Sequence, residues 1–270
     1  YYQKSIIEFI DSIDSKIELN REYNKNLEEI AKALFKSWFI DFDPVRAKSE
    51  GLTTGLPDEI SDLFPDSFED SALGEIPYRW STDEVGNICE CVGGGTPSTK
   101  EPLFWKNGNN FWATPKDLSD LEKPILLETS KKITNLGIQK ISSRVLPIGT
   151  VLISSRAPVG YVAVAEVPLS INQGFIAIKP SEILSKEYLL NWAQANVEKF
   201  KNRASGTTFA EISKQSFRPI KILLPDEIVM GAFSDLTKII YKRIISSMKD
   251  IKNLVDMRNI LLPKLISGEL

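Results

Sequence analysis

The chain has 270 residues, of which 42% are apolar and 26% are charged, and its formal net charge is −3. This composition is ordinary for a protein with a sizeable hydrophobic core. The sequence contains no histidine, which excludes histidine general bases, the usual catalytic triads and histidine metal sites. Without histidine, Cys89 and Cys91 are interpreted as structural rather than as zinc ligands. Neither a long apolar run nor a signal peptide is present, so we expect a cytoplasmic protein without a membrane span.

The first predicted element is a long helix over residues 5–39 that carries a coiled-coil seam. Apolar residues recur along it at alternating spacings of four and three, which is typical of a coiled coil. Asn20 and Asn24 fall on this seam, where they either fix the register or mark a solvent-exposed stretch. The helix is expected to end at Asp43-Pro44 because proline cannot continue it. The seam residues singled out here are Ile13, Ile17, Leu27 and Leu34.

The middle of the chain is predicted to be an acidic linker followed by a β-rich domain. Prolines, glycines and aspartates are frequent in the linker, residues 41–73, and favour turns and extended chain. From residue 74 to residue 224, short strand patterns alternate with turn signals, and one helix is predicted over 186–204. The stronger strand candidates are 85–92, 145–154, 161–167, 175–179 and 220–224.

The C-terminal segment, residues 225–270, repeats the pattern of the first helix at a distance of 227 positions. Under this shift Lys25-Asn26-Leu27 falls on Lys252-Asn253-Leu254. The seam residues singled out in this second helix are Ile240, Ile244, Leu254 and Leu261. Two helices with matched seams on either side of one globular segment predict a spacer that carries a separate functional domain.

The charge of the chain is unevenly distributed along the sequence. Residues 74–224 hold 18 lysines and arginines against 14 acidic residues, so this segment is basic although the whole chain is acidic. A basic domain favours contact with a polyanion, but a solvated surface of ordinary composition explains the same excess.

Several loops of the basic domain have side chains that suit phosphate or base contacts. The segment 93–100 combines glycines with three hydroxyls and a lysine, although a plain hairpin turn also fits it. Arg156 lies at a strand end, where it either reaches a phosphate or a guanine or forms a surface salt bridge. For Asn172 and Gln173 we favour a structural role over contact with adenine. No nucleotide-binding glycine loop is present, and the carboxylates form no evident catalytic pair, so we expect no enzymatic activity from this chain alone.

A series of short motifs follows in a fixed order from one end of the chain to the other. These are Leu34-Phe35-Lys36-Ser37-Trp38-Phe39, Asp41-Phe42-Asp43-Pro44-Val45, Gly74-Glu75-Ile76-Pro77, Gly94-Gly95-Thr96-Pro97, the segment 149–160, Ile171-Asn172-Gln173-Gly174 and the ending 261–270. In this order, and together with the two helices, they make the chain similar to the specificity subunits of type I restriction-modification systems.

This resemblance implies an α+β fold in which a β-rich target-recognition domain is flanked by two long helices that pack as an antiparallel coiled coil. The implied domains are an N-terminal helix at 1–40, a linker at 41–73, a recognition domain at 74–224 and a C-terminal helix at 225–270. The domain would read one half of a split site in double-stranded DNA. Its contacts would come from Thr96, Ser98, Lys100, Lys116, Arg156, Thr207 and Thr208.

The resemblance also implies partners. The helices would recruit methyltransferase subunits and, through them, the restriction subunit. S-adenosylmethionine, ATP and Mg²⁺ would be bound by those subunits, and this chain would bind no cofactor and meet no membrane.

The chain departs from the family plan because it holds one recognition domain where such subunits have two. It is therefore expected to be either the C-terminal part of a longer subunit or a half-subunit that pairs with a second copy of itself. Two other functions stay open, namely a helical scaffold with a protein-binding insert and the recognition part of a fused restriction or methyltransferase enzyme.

Overall fold

The computed structural model describes residues 2–206 and 210–267, with side chains described for 7–206 and 210–265. The chain divides into two compact units. The helical unit consists of Tyr1–Leu34 and Asp235–Leu270, and the globular unit consists of Phe35–Ser234. In the described part of the chain, no helix is long and apolar enough to cross a membrane.

Two long helices contrast with a set of short ones. The helices are α1 (Tyr2–Phe39), α2 (Asp43–Ser49), α3 (Asp58–Ser61), α4 (Val85–Ile88), α5 (Pro115–Ser119), α6 (Asn135–Ile138), α7 (Lys186–Ala195), α8 (Val197–Asn202), α9 (Lys214–Phe217) and α10 (Glu227–Ser267). A 3-10 turn lies at Pro102–Phe104.

The strands all belong to the globular unit. They are β1 (Phe68–Ser71), β2 (Gly74–Pro77), β3 (Ser81–Glu84), β4 (Cys91–Gly93), β5 (Asn110–Ala113), β6 (Ile125–Leu126), β7 (Lys131–Ile133), β8 (Val151–Ser154), β9 (Val162–Ala165), β10 (Leu169–Ile171), β11 (Phe175–Ile178) and β12 (Lys221–Leu224). A five-stranded sheet has the order β4-β11-β8-β9-β6, and a three-stranded sheet has the order β10-β5-β7. The hairpin β1-β2 and the pair β12-β3 form two further small sheets.

The five-stranded sheet forms the centre of the globular core. All four residues of β8 are buried, and so are all four of β11, which pairs with it antiparallel. A strand that is covered on both faces has no solvent-facing positions, which explains why these segments read as continuous apolar runs.

The helical unit confirms the predicted coiled coil. Ile13, Ile17 and Ile244 are buried, and the other predicted seam residues are half-buried. Arg258 Nη1 lies 2.7 Å from Asp14 Oδ1, and Arg243 Nη1 lies 3.1 Å from the Tyr23 hydroxyl. Asp14 and Tyr23 follow each other along α1, whereas their partners Arg258 and Arg243 follow in the reverse order along α10. The two helices are therefore antiparallel.

Asn24 places a polar group inside this seam. Its side chain is only 1% exposed, and its Oδ1 atom accepts no hydrogen bond within the described residues. This burial excludes a solvent-exposed seam at Asn24. A buried polar residue that costs stability is typical of positions that fix the register of a coiled coil.

The substitution Asn24→Leu tests this cost. We expect it to raise the free energy of unfolding of the helical unit by about 1 kcal/mol, because an unsatisfied buried amide is replaced by an apolar side chain. Urea unfolding followed by circular dichroism measures the change. The control Asn26→Leu alters an exposed position of the same helix and should leave stability almost unchanged. A loss of stability in Asn24→Leu would contradict the account.

The prediction of an extended linker over residues 41–73 is wrong. Helices α2 and α3 and the hairpin β1-β2 occupy this segment, and Phe42, Val45 and Phe64 are buried. Pro44 lies in the first turn of α2, where proline is tolerated because its missing N–H has no partner in the helix. The segment is therefore a packed part of the globular unit and not an extended connector, and the predicted domain boundaries stay predictions.

Other predicted elements of the β-rich domain are partly confirmed. Strands β8, β9, β11 and β12 lie inside predicted segments, and helices α7 and α8 replace the single helix predicted over 186–204. The strand predicted over 85–92 is wrong in its first half, which forms α4. The amide of Gly86 donates to Arg218 O, and a Cβ at Gly86 would lie 2.6 Å from Arg218 Cβ, so packing against residue 218 determines this turn.

The two cysteines are buried and free. Burial, together with the neighbouring Cys89, raises the pKa of the Cys91 thiol to about 12. A thiol with a raised pKa is a poor nucleophile, which agrees with a structural interpretation.

Candidate nucleic-acid interface

Four backbone hydrogen bonds join loops from distant parts of the sequence at one end of the five-stranded sheet. Gly95 N donates to Ile171 O at 2.9 Å, and Asn172 N donates to Ala113 O at 3.0 Å. Ser155 N donates to Gly174 O at 2.8 Å, and Ile212 N donates to Ser155 O at 2.9 Å. We call the joined segments 93–100, 113–116, 155–160, 171–174 and 210–214 the loop cluster.

Gly94 allows the first of these loops to lie directly on the backbone of another. A Cβ at Gly94 would lie 2.1 Å from Ile171 O and 2.2 Å from Asn172 O, which no side chain can tolerate. At Gly95 the nearest atom would be 3.8 Å away, an ordinary contact. The close approach therefore requires glycine at position 94 alone.

Two tryptophans hold the same loop from the other side. Trp112 Nε1 donates to Gly95 O at 3.1 Å, and Trp105 Nε1 donates to Ser98 O at 2.9 Å. Their rings pack edge to face with centroids 5.0 Å apart. The loop main chain is thus fixed at two carbonyls, while Thr96, Ser98 and Lys100 remain exposed.

Thr96 and Gln173 meet across the loop cluster. The Thr96 hydroxyl donates a hydrogen bond to Gln173 Oε1, and the Gln173 side chain is exposed. Asn172 Oδ1 instead accepts from Gly174 N at 2.8 Å and closes its own turn. Asn172 therefore has the structural role that the sequence favours, whereas the amide group of Gln173 is oriented at the surface.

Lys116 is exposed on α5, whose start is fixed by a capping box. Asp117 Oδ2 accepts from Thr114 N at 2.7 Å, and its Oδ1 accepts from Ser130 N at 2.7 Å. Burial raises the pKa of Asp117, but the hydrogen bonds from Ser130 and Thr114 outweigh it and leave the pKa lowered. The charged carboxylate therefore stabilises the turn that presents Lys116.

The substitution Asp117→Asn tests this role through pH. We expect a loss of about 2 kcal/mol in stability at neutral pH, because hydrogen bonds to an ionised carboxylate are removed. Since the folded pKa is lowered, the contribution is complete above the unfolded pKa and disappears as pH falls through the folded value. Urea unfolding of both proteins at several pH values should therefore show the difference shrinking below about pH 4. A difference that does not depend on pH would contradict this.

Arg156 forms the surface salt bridge that was one of the two alternatives predicted for it. Its guanidinium lies 3.5 Å from Glu211 Oε2, and its side chain is 36% exposed. Such a half-exposed ion pair contributes little stability, so Arg156 can exchange Glu211 for another anion at small cost. Thr207 and Thr208 lie outside the described residues.

Seven lysines lie in and around the loop cluster without an ion pair to any described residue. Lys179 and Lys186 pair with Glu90 and Glu166, whereas the following lysines form no ion pair with any residue that the structure describes. They are Lys100, Lys106, Lys116, Lys131, Lys132, Lys140 and Lys214. Of these, only Lys100 and Lys116 are predicted from the sequence to contact DNA, and the positive charge of the domain is the one sequence signal for the rest.

Comparison with known proteins shows which family the sequence matches. A family model described as the type I restriction modification DNA specificity domain matches residues 77–254. The chain is 29% identical to the type I restriction enzyme HindI specificity subunit of Haemophilus influenzae over 99% of this chain and 67% of that protein. It is 38% identical to the MjaIX specificity subunit of Methanocaldococcus jannaschii over 58% of this chain and 37% of that protein.

The fold has a solved counterpart. The type I restriction-modification S subunit from M. genitalium matches with a TM-score of 0.61 at 14% identity, over 98% of this chain and 60% of that chain. At this identity the likeness concerns the fold alone. The chain spans about two thirds or less of the length of these relatives.

Proposed function

Because the chain belongs to the family of type I restriction modification DNA specificity domains, we propose that its globular unit binds double-stranded DNA and reads one half of a split recognition site. The observation that supports this most strongly is the loop cluster, where a fixed main chain presents hydroxyls, an amide and lysines without ion pairs. Rigid presentation lowers the entropy lost on binding.

The side chains of the loop cluster divide into two roles under this proposal. Lys100, Lys116 and Lys214 bind phosphates, which gives affinity without sequence information. Thr96, Ser98 and Gln173 carry donors and acceptors that suit base edges in the major groove. Arg156 contributes to either role once it leaves Glu211.

The chain would act by recognition alone. Methyl transfer and DNA cleavage would then belong to methyltransferase and restriction subunits, which would bind S-adenosylmethionine, ATP and Mg²⁺. Support comes from the sequence, in which no histidine is available for general-base catalysis or metal binding.

The helical unit has a second apolar face that suits partner subunits. Phe9, Leu19, Tyr23 and Ile30 are exposed on α1 at heptad-related positions outside the seam. On α10 the equivalent exposed residues are Leu236, Ile239, Met257 and Ile260. Phe9 and Ile30 coincide with Leu236 and Met257 under the 227-residue shift.

The exposed apolar residues of α1 and those of α10 form two stripes, which lie on the same side of the antiparallel pair. Tyr23 on the α1 stripe accepts a hydrogen bond from Arg243. Arg243 lies between Ile239 and Met257 of the α10 stripe, in the same heptad register. We place the methyltransferase subunits on this face, since a large exposed apolar surface marks a protein interface. The restriction subunit would join through them. A second copy of the chain is the competing occupant.

The double substitution Ile30→Asp and Ile260→Asp tests the face. We expect it to abolish copurification with the methyltransferase subunit, since two charges would be buried in an apolar contact. The control Ile7→Asp changes an equally exposed isoleucine outside the stripe and should retain the complex. Light scattering of the chain alone tests the competing occupant. Self-association of the wild-type chain that is lost in the double variant would show that a second copy, and not the methyltransferase subunit, binds this face.

DNA binding itself is tested by gel shift with the methyltransferase subunit present, at low and high salt. We expect affinity to fall steeply with salt, with a log–log slope of about −0.9 for each phosphate contact. Absence of DNA binding at low salt would favour a helical scaffold with a protein-binding insert. Methyl transfer by the purified chain alone would contradict recognition without catalysis.

A further inference from the structure

A ridge beside the loop cluster combines exposed apolar and basic side chains. We define the ridge by Leu103, Lys106, Lys132, Leu136 and Lys140. Leu103 is 65% exposed and Leu136 is 50% exposed, and both are large apolar side chains. The three lysines make no ion pair within the part of the chain that the structure describes. An exposed apolar crest together with positive charge that forms no ion pair is an unusual surface for a protein that meets only water.

Leu103 projects from a turn whose main chain is fixed by hydrogen bonds to Glu101 and Thr134. Its amide donates to Glu101 Oε1 at 3.3 Å, and its carbonyl accepts from Thr134 Oγ1 at 2.7 Å. Thr134 N also donates to Phe104 O at 2.9 Å. The turn is therefore fixed although the leucine side chain is exposed. A fixed, exposed apolar side chain can enter a ligand with little loss of conformational entropy.

The same contacts place Leu136 next to this turn. Thr134 caps α6, and a Cβ at Gly137 would lie only 2.8 Å from Phe104 O, so α6 packs closely on the 3-10 turn. Leu136 follows Thr134 by two residues and lies on the first turn of α6.

The lysines lie on the segments that carry this apolar crest or pack beside it. Lys140 Nζ lies 6.0 Å from the centroid of the Phe104 ring, and Lys132 Nζ lies 4.9 Å from that of Phe111. Lys106 lies two residues after the end of the 3-10 turn, and its amide donates to Pro102 O at 2.8 Å. Three lysines without ion pairs on the same ridge as an exposed apolar crest match a ligand with dense negative charge and stacked apolar surfaces. Duplex DNA has both properties.

The ridge is also continuous with the loop cluster. Trp105 follows Phe104 and donates its indole N–H to Ser98 O at 2.9 Å, so one residue connects the 3-10 turn to the loop that carries Thr96 and Lys100. A duplex bound at the loop cluster would extend along this surface.

We propose that the ridge is a second DNA contact, in which Lys106, Lys132 and Lys140 bind phosphates and Leu103 inserts between base pairs as an apolar wedge. Wedges of this kind unstack a base step and bend the duplex, so the ridge would read the deformability of DNA outside the bases that the loops contact. This inference rests on the proposed function, because it requires that the globular unit binds DNA.

The experiment uses the full chain with its methyltransferase partner and a duplex that carries the motif methylated in cells. Fluorescent dyes at the duplex ends report bending, and 2-aminopurine at successive positions reports unstacking. We expect the wild-type complex to bend the duplex and unstack one step. Leu103→Ala should remove both signals and lower affinity roughly ten-fold. The triple substitution of Lys106, Lys132 and Lys140 by Gln should reduce the salt slope by about 3.

Matched controls come from the opposite end of β11. Ile183→Ala removes another exposed apolar side chain, and Lys179→Gln removes a lysine that pairs with Glu90, and neither should change bending or the salt slope. Thermal unfolding of each variant verifies that the globular unit is intact. If Leu103→Ala is unstable, Leu103→Gln preserves the length of the side chain and should lose both the bending and the unstacking signal.

The outcomes separate the two proposals. A wild-type complex without DNA affinity would overturn the proposed function and the ridge together. DNA binding with equal bending, unstacking and salt slope in the wild-type protein and the ridge variants would overturn the ridge alone.

Discussion

Gly94→Ala should abolish specific DNA binding, whereas the neighbouring substitution Gly95→Ala should retain it. A methyl group at position 94 would lie 2.1 Å from Ile171 O and 2.2 Å from Asn172 O, and both oxygens belong to main chain that cannot rotate away. The segments 93–100 and 171–174 would have to separate, which would displace Thr96 from Gln173. Overpacking of this kind costs about 3 kcal/mol, enough to remove the bound geometry of the loop cluster.

The control at position 95 makes the result specific. A methyl group there would meet its nearest neighbour at 3.8 Å, and alanine retains the amide that donates to Ile171 O. Fluorescence anisotropy with labelled duplex should show affinity lost in Gly94→Ala and preserved within about two-fold in Gly95→Ala. Equal affinities in the two variants would show that close packing of these loops is not needed for recognition.

Phe39→Ala should cost about 4 kcal/mol of stability in the globular unit, the largest effect that we expect on folding. Phe39 is buried, and its ring centroid lies 4.9 Å from that of Phe233 and 5.1 Å from that of Tyr188. Trp80 packs on the same ring at 5.9 Å. Replacing the phenyl ring by a methyl group leaves a cavity among these rings that the surrounding main chain cannot close.

The measurement is urea unfolding followed by tryptophan fluorescence, to which Trp38 and Trp80 contribute directly from the sides of Phe39. Leu52→Ala removes an exposed apolar side chain from the same unit and should change stability by less than about 0.5 kcal/mol. A loss below about 1 kcal/mol for Phe39→Ala would mean that the aromatic cluster is not part of the cooperative core.

The helices and inner strands could be predicted because their patterns are local. The seam of α1 and α10 follows a fixed heptad spacing, and β8 and β11 are continuous apolar runs, so each is visible in a short window. The packing of residues 41–73 could not be predicted in the same way. Phe42, Val45 and Phe64 are spaced without periodicity among prolines and aspartates, and only tertiary contacts give them a core to enter.

The sequence indicates the loops of the candidate site but not the way in which they come together in space. Thr96, Ser98, Lys100 and Lys116 are exposed at the loop cluster, and their contacts with DNA stay predictions. The role of Gln173 depends on its contact with Thr96, which is 77 residues away in sequence. The lysines of the ridge are separated along the chain, and their proximity follows from the pairing of β5 with β7 and the packing of α6.

The most direct test of the account is to map methylated adenines in cells that carry this chain together with its methyltransferase partner. We predict a split motif, one half of which is lost or altered when Thr96 and Gln173 are both changed to Ala while Lys179→Gln leaves the motif intact. Methylation at the same sites in cells that lack the chain, or a motif that is unchanged in the Thr96 and Gln173 variant, would contradict the assignment of DNA reading to the loop cluster.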